Sequence, residues 1–136
     1  RDWLPEKINE QLNNAILETK NNDGLNLNLA LAYSSRYEIL QSCKKLANDL
    51  SNQTIKYDEL SEKNINDQLL TKDTPDPDLL IRTGGTHRLS NFLLWQCAYT
   101  ELYFTDKFWP DFNQNDLNEA IIDFQSRERK FGTIKT

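Results

Sequence analysis

The stretch that decides the fold is Asp78-Leu79-Leu80-Ile81-Arg82-Thr83-Gly84-Gly85-Thr86-His87-Arg88-Leu89-Ser90-Asn91. It opens with a short apolar strand that runs into an arginine. The preceding Thr74-Pro75-Asp76-Pro77 admits neither helix nor sheet, because two prolines fix φ and remove two donors. Gly84-Gly85 lets the backbone turn sharply and approach a ligand with no Cβ in the way. Ser90 or Asn91 then caps a helix expected through Phe92–Cys97. Strand, glycine turn and helix make the corner of an α/β sheet, where ligands sit beyond the strand's C-terminal end.

Upstream, Leu25, Leu27, Leu29 and Leu31 alternate with Asn26, Asn28, Ala30 and Ala32. Period two predicts a strand, and the alanines in its second half predict an internal one buried on both faces. Tyr33-Ser34-Ser35-Arg36 would be the loop at its end, a second candidate ligand loop. A first helix starts at Leu4-Pro5-Glu6, keeps Ile8, Leu12, Ala15 and Ile16 on one face, and stops at Asn21-Asn22-Asp23-Gly24. A second spans about Ser35–Leu50, with Ile39, Leu40, Cys43, Leu46, Ala47 and Leu50 as its apolar stripe. Asp58 or Ser61 caps a more polar helix ending near Leu70. Glu101–Phe104 is a short apolar segment closed by Trp109-Pro110-Asp111-Phe112. The last helix covers about Asp116–Arg129, with Leu117, Ile121, Ile122 and Phe124 expected inside. This order predicts an α/β fold with a mostly parallel sheet surrounded by helices.

The 136 residues suit one domain, and we expect residues 1–136 to form a single partial one. A net charge of −5 argues against a nucleic-acid partner but allows a local cationic pocket. No apolar run approaches the ~20 residues of a membrane span, and no signal peptide opens the chain, so a cytoplasmic protein is expected. Cys43 and Cys97 lack metal or redox spacing and read as reduced, buried thiols. The chain has no methionine and begins at Arg1-Asp2-Trp3, which implies a missing upstream segment.

Arg82 and Arg88 are planar forks of donors that match phosphate oxygens and stay charged at any working pH. Ser90 either caps the following helix or gives its hydroxyl to phosphate, and that helix's first turn would offer free N–H groups. On physical grounds alone, a phosphate site and an ordinary surface turn explain the loop equally. His87, the one histidine, reads as a solvated side chain or as a proton donor or metal neighbour at a diphosphate. Glu101 lies in an apolar run and needs a cation or an arginine as partner.

The run Pro77–Gly85, then Arg88–Gln96, Tyr99, Glu101–Asp106 and Trp109–Phe112 closely resembles the most characteristic segment of bacterial undecaprenyl diphosphate synthases, which are cis-prenyltransferases. Leu27–Ile39 resembles an earlier family segment in which a strand ends in Asn-Tyr-Gly-Gly-Arg. Arg127-Glu128-Arg129-Lys130-Phe131-Gly132 resembles the family's C-terminal basic motif. The resemblance implies condensation of isopentenyl diphosphate with an allylic diphosphate to give a cis-polyprenyl diphosphate, a lipid carrier for cell-wall synthesis. It implies a homodimer with Trp95–Phe104 near the dimer contact, transient membrane-surface contact through product, and Mg2+ as cofactor. It assigns Arg82, Arg88, Leu89 and Ser90 to the isopentenyl diphosphate. It assigns Glu101 to magnesium, with His87 close by.

Departures accompany the match. Thr86 stands where the family usually has a carboxylate, Ser34-Ser35 replaces Gly-Gly, and Ala32 replaces Asn. If those glycines use positive φ, serine there costs about 1 kcal/mol or more. The family's Asp-Gly-Asn-Gly-Arg motif, whose Asp carries magnesium and the allylic diphosphate, does not occur, so no catalytic residue is expected in this chain. We therefore expect the C-terminal half of the enzyme, inactive alone. A non-catalytic partner subunit of the same family is the alternative. A generic phosphate-binding domain explains the loop but not Phe92–Phe112.

Overall fold

A computed structural model describes residues 4–129 and 132. The chain divides into two compact units, Arg1–Ala32 and Tyr33–Thr136. In the first, helix α1 spans Glu6–Thr19, as the Pro5 start and the Asn21–Gly24 stop predict. The strand expected at 25–32 does not form. Its leucines are exposed, with Leu25 at 89% and Leu31 at 49%. The reason is a missing neighbour: no strand among the described residues pairs with this segment, and unpaired extended backbone has no ladder. Ala32 takes φ +48°, so the positive φ near this segment falls on an alanine rather than on the serines that follow.

The second unit begins with helix α2, Ser35–Ser51, capped by Ser34 at an ordinary extended φ of −144°. The cost expected for Ser34-Ser35 does not arise, since Ser34 is extended and Ser35 helical. The buried face of α2 differs from its apolar stripe. Ser35, Glu38 and Ser42 are buried, whereas Leu40 and Cys43 are exposed. Three polar groups can go inside because each finds a partner; Ser42, for instance, donates to the Glu38 carbonyl at 3.1 Å. Cys43 is therefore not the buried thiol expected, while Cys97 is half-buried and burial raises its thiol pKa. Helix α3, Glu62–Asn66, starts at Ser61 as read but stops well before Leu70.

Strands β1, Leu79–Arg82, and β2, Glu101–Phe104, pair in parallel, with Leu79 opposite Glu101 and Arg82 opposite Phe104. This is the parallel sheet of the expected α/β fold, two strands wide among the described residues. Residues 83–100 make the crossover. Helix α4, Gln114–Ser126, runs back along β2. Lys107, just past β2, pairs with the buried Asp116 in its first turn. Arg127, just past its end, pairs with Glu101 at 2.8 Å and with Asp123 at 2.5 Å. Asp116 and Ala120 are its buried residues. Leu117, Ile121 and Ile122 are exposed, against expectation. Of the basic C-terminal motif, Arg129 pairs with Asp78 at 2.5 Å, while Lys130 and Phe131 lie outside the described residues.

Candidate functional site

The parallel register brings the exits of β1 and β2 to the same end of the sheet. The two exits are stitched together. Thr105 N–H donates to the Arg82 carbonyl at 3.0 Å, Gly85 N–H to the Thr105 carbonyl at 3.0 Å, and Gly84 N–H to the Lys107 carbonyl at 2.7 Å. Making those bonds puts Gly84 at φ +87° and Gly85 at φ +67°. A Cβ on Gly85 would also meet Asp106 Oδ1 at 3.1 Å. The double glycine is thus required by this turn, as its sequence implied.

Beyond the turn the loop doubles back and brings its arginines together. The Arg82 guanidinium donates to Ser90 Oγ at 2.8 Å and to the Arg88 carbonyl. Arg88 Nε donates to the same Ser90 Oγ at 3.3 Å. Two cations thus converge on one neutral hydroxyl. Among the described residues neither forms a salt bridge, so no ion pair offsets their mutual repulsion. An anion with several oxygens would relieve it and engage both forks. Beside the pair lies a cavity of about 300 Å3. Arg82, Arg88 and Ser90 form its polar part, and Leu80, Ile81, Leu89 and Phe92 its apolar part. In chemistry, these two parts match an anionic head and a small hydrocarbon body.

The helix expected after Ser90 is absent. Ser90, Asn91 and Leu93 have φ of +49°, +65° and +45°, which no right-handed helix admits. Residues 90–99 are turns and bends instead. The free N–H groups of a helix start therefore do not serve the site. The Leu94 N–H, for one, donates to Ser35 Oγ at 3.0 Å.

The second candidate loop, Tyr33–Arg36, is brought to Asn91. Arg36 N–H donates to Asn91 Oδ1 at 2.9 Å. Behind it, Glu38 is a buried hub that accepts from Tyr33 OH, from Leu70 N–H at 2.8 Å and from Gln96 Nε2 at 3.2 Å. Burial first, and then this bond to Glu38, push the Tyr33 phenol up to about 12. The sequence reading missed this hub because one carboxylate in a helix looks like a solvated one. The match of Glu38 to the spacing of Ser35 and Ser42, three and four residues away, was the available signal.

His87 and Glu101 do not come together. The His87 ring lies against Phe104, the last residue of β2, at a centroid distance of 5.0 Å. Glu101 is the first residue of β2 and is held by Arg127 at 2.8 Å. Glu101 and Phe104 lie three steps apart along β2, roughly 10 Å. The partner that Glu101 needs is thus an arginine, one of the two kinds expected. Among the described residues no three His, Cys, Asp or Glu side chains gather as a metal site.

The model of a family described as putative undecaprenyl diphosphate synthase matches residues 1–132. An isoprenyl transferase of Halalkalibacterium halodurans is 48% identical over 133 residues, which cover 98% of this chain and 52% of that protein. One from Porphyromonas gingivalis is 49% identical, over 95% of this chain and 51% of that protein. The chain spans about half the length of the curated relatives it matches. Lavandulyl diphosphate synthase from Lavandula x intermedia, solved in complex with dimethylallyl diphosphate, is 37% identical, with a TM-score of 0.90 over 97% of this chain and 57% of that one. A probable undecaprenyl diphosphate synthase from Campylobacter jejuni is 35% identical, with a TM-score of 0.78 over 97% of this chain and 59% of that one.

Proposed function

This chain belongs to the undecaprenyl diphosphate synthase family of isoprenyl transferases, and we propose that its Arg82–Asn91 loop holds the diphosphate of isopentenyl diphosphate, the acceptor in a cis-prenyl chain-lengthening reaction. The observation that carries this reading is the convergence of Arg82 and Arg88 on Ser90 without a carboxylate between them. The apolar wall of Leu80, Ile81, Leu89 and Phe92 then takes the five-carbon body. In the reaction, the acceptor alkene attacks the allylic carbon, the allylic diphosphate leaves, and the acceptor loses a proton. A fixed diphosphate sets where the alkene points, and positioning of that kind is a major part of the rate.

Magnesium enters this reading with the diphosphates, where it takes one or two protein ligands plus phosphate oxygens and water. It would assist departure of the allylic diphosphate. These residues do not cage it alone. His87 would be the ligand offered at the loop, and Glu101 would offer its Oε1, since Arg127 holds Oε2 at 2.8 Å. A homodimer, a membrane-surface contact through product and a cytoplasmic location belong to the same reading. No helix among the described residues is long and apolar enough to cross a membrane.

Calorimetric titration of inorganic pyrophosphate and isopentenyl diphosphate into the chain tests the proposal. Both bind, and Arg88→Ala weakens each by about tenfold to a hundredfold, the scale of a hydrogen bond to a charged group. Unchanged binding by Arg88→Ala would overturn it. The chain alone is expected not to incorporate labelled isopentenyl units, since it provides the acceptor site and no Asp-Gly-Asn-Gly-Arg motif.

A further inference from the structure

The loop that presents the two arginines does not hold its own shape. Three of the four residues 90–93 lie in the left-handed region, and of these only asparagine is at ease there. Such a conformation persists where the surroundings over-determine it. Here the surroundings are the start of α2. Asn91 Oδ1 accepts the Arg36 N–H at 2.9 Å, and Asn91 Nδ2 donates to Ser34 Oγ at 2.8 Å. The Asn91 carbonyl accepts the Ser35 N–H at 2.9 Å. Ser35 Oγ, on a fully buried residue, accepts the Leu94 N–H at 3.0 Å. Four hydrogen bonds therefore tie residues 34–36 to residues 91–94 across more than fifty residues of chain.

We propose that Ser34, Ser35 and Asn91 form a clasp that positions Ser90, and through it the Arg82–Arg88 pair, for the diphosphate. The inference rests on the diphosphate reading of the loop. The three are positioning residues and do not themselves touch the ligand. The chain of cause is short. Asn91 is fixed by backbone and side chain together, so the peptide it shares with Ser90 is fixed as well. Ser90 Oγ is the acceptor on which both guanidinium groups meet. Released from the clasp, Ser90 moves, and two like charges lose the group that gathers them. The serine hydroxyls matter here because they stand where the family pattern read from the sequence has glycines. At position 34 a glycine would leave the Asn91 amide without the acceptor it has now.

The test is pyrophosphate titration of the chain, at a temperature well below melting. Asn91→Gly keeps a residue that accepts positive φ and deletes both side-chain bonds. It raises the dissociation constant about tenfold, the loss of one or two hydrogen bonds. Ser34→Ala weakens binding severalfold, and adds little on top of Asn91→Gly if the two act as one unit. Ser42→Ala removes a buried bond two turns further along α2. It lowers the melting temperature and leaves pyrophosphate affinity alone, which a merely structural effect of the clasp would not reproduce. If the wild type binds and Asn91→Gly and Ser34→Ala bind equally well, the clasp is overturned while the diphosphate site stands. Should the wild type not bind pyrophosphate, both fall.

Discussion

Two segments of this chain carry the pattern of a buried strand, and only one is a strand. Leu25–Leu31 alternates leucine with small or polar residues over a longer stretch than Leu79–Arg82 offers. Yet residues 25–31 have no ladder and expose their leucines, while Leu79–Arg82 pairs along its length with Glu101–Phe104. Alternation states which faces a segment offers. Whether it becomes a strand depends on a neighbour whose N–H and C=O groups are in register, because a strand's hydrogen bonds lie between segments and not within one. β1 has that neighbour a crossover away. The leucine run has none among the described residues.

The sharpest way to break this comparison is proline. Thr105→Pro removes the N–H that donates to the Arg82 carbonyl at 3.0 Å where both strands leave the sheet. Orphaning that carbonyl costs about 1–3 kcal/mol, and denaturant unfolding of the 33–136 unit shifts accordingly. Leu29→Pro removes no ladder bond and changes stability by no more than about 0.5 kcal/mol. Hydrogen exchange gives the same contrast without mutation: the Thr105 amide is protected and the amides of 25–31 exchange fast. Protection at Leu27 or Leu29 equal to that at Thr105 would show that the leucine run has a ladder after all.

That contrast also marks how far the sequence carried. α1, α2, the Ser61 start of α3, β1 and the α/β class were legible, because caps, prolines and glycines act locally. The glycine turn and the arginine pair were legible too, since Gly-Gly and Arg each suit a narrow range of roles. What was hidden depended on distant partners. Asn91 reads as a helix cap, yet its side chain joins the start of α2 at residues 34 and 36. The helix expected at Phe92–Cys97 gives way to turns and bends after the left-handed Ser90 and Asn91. The buried face of α2 is polar because Glu38 finds Tyr33, Leu70 and Gln96, partners that helical periodicity cannot register.

Gly85→Ala sharpens the comparison at the end of β1, where the paired strand turns into the site. At φ +67° an L residue costs about 1–2 kcal/mol. The new Cβ would meet Asp106 Oδ1 at 3.1 Å, so that side chain must give way. The turn loosens, and pyrophosphate affinity drops by a larger factor than for Gly24→Ala, where a Cβ meets nothing within 4 Å. Equal affinities for the two variants would mean that the turn does not shape the site.

The smallest expected effect is at Tyr33, where the second unit begins directly after the leucine run. Burial and the bond to Glu38 raise its phenol from 10.0 to about 12. A group whose folded pKa lies above its unfolded one holds its proton more tightly in the folded state. Its contribution to stability is therefore complete below pH 10 and is lost as pH rises toward 12. Tyr33→Phe removes the donor to Glu38 and lowers stability at neutral pH by about 1 kcal/mol. Between pH 10 and 12 the gap between wild type and variant narrows, because the unfolded wild-type phenol releases its proton in that range while the folded one still holds it. Denaturant midpoints measured at pH 7, 10, 11 and 12 follow that narrowing. A gap that stays constant across the four would separate Tyr33 from the Glu38 hub, and would leave that hub to the bonds Glu38 makes with Leu70 and Gln96.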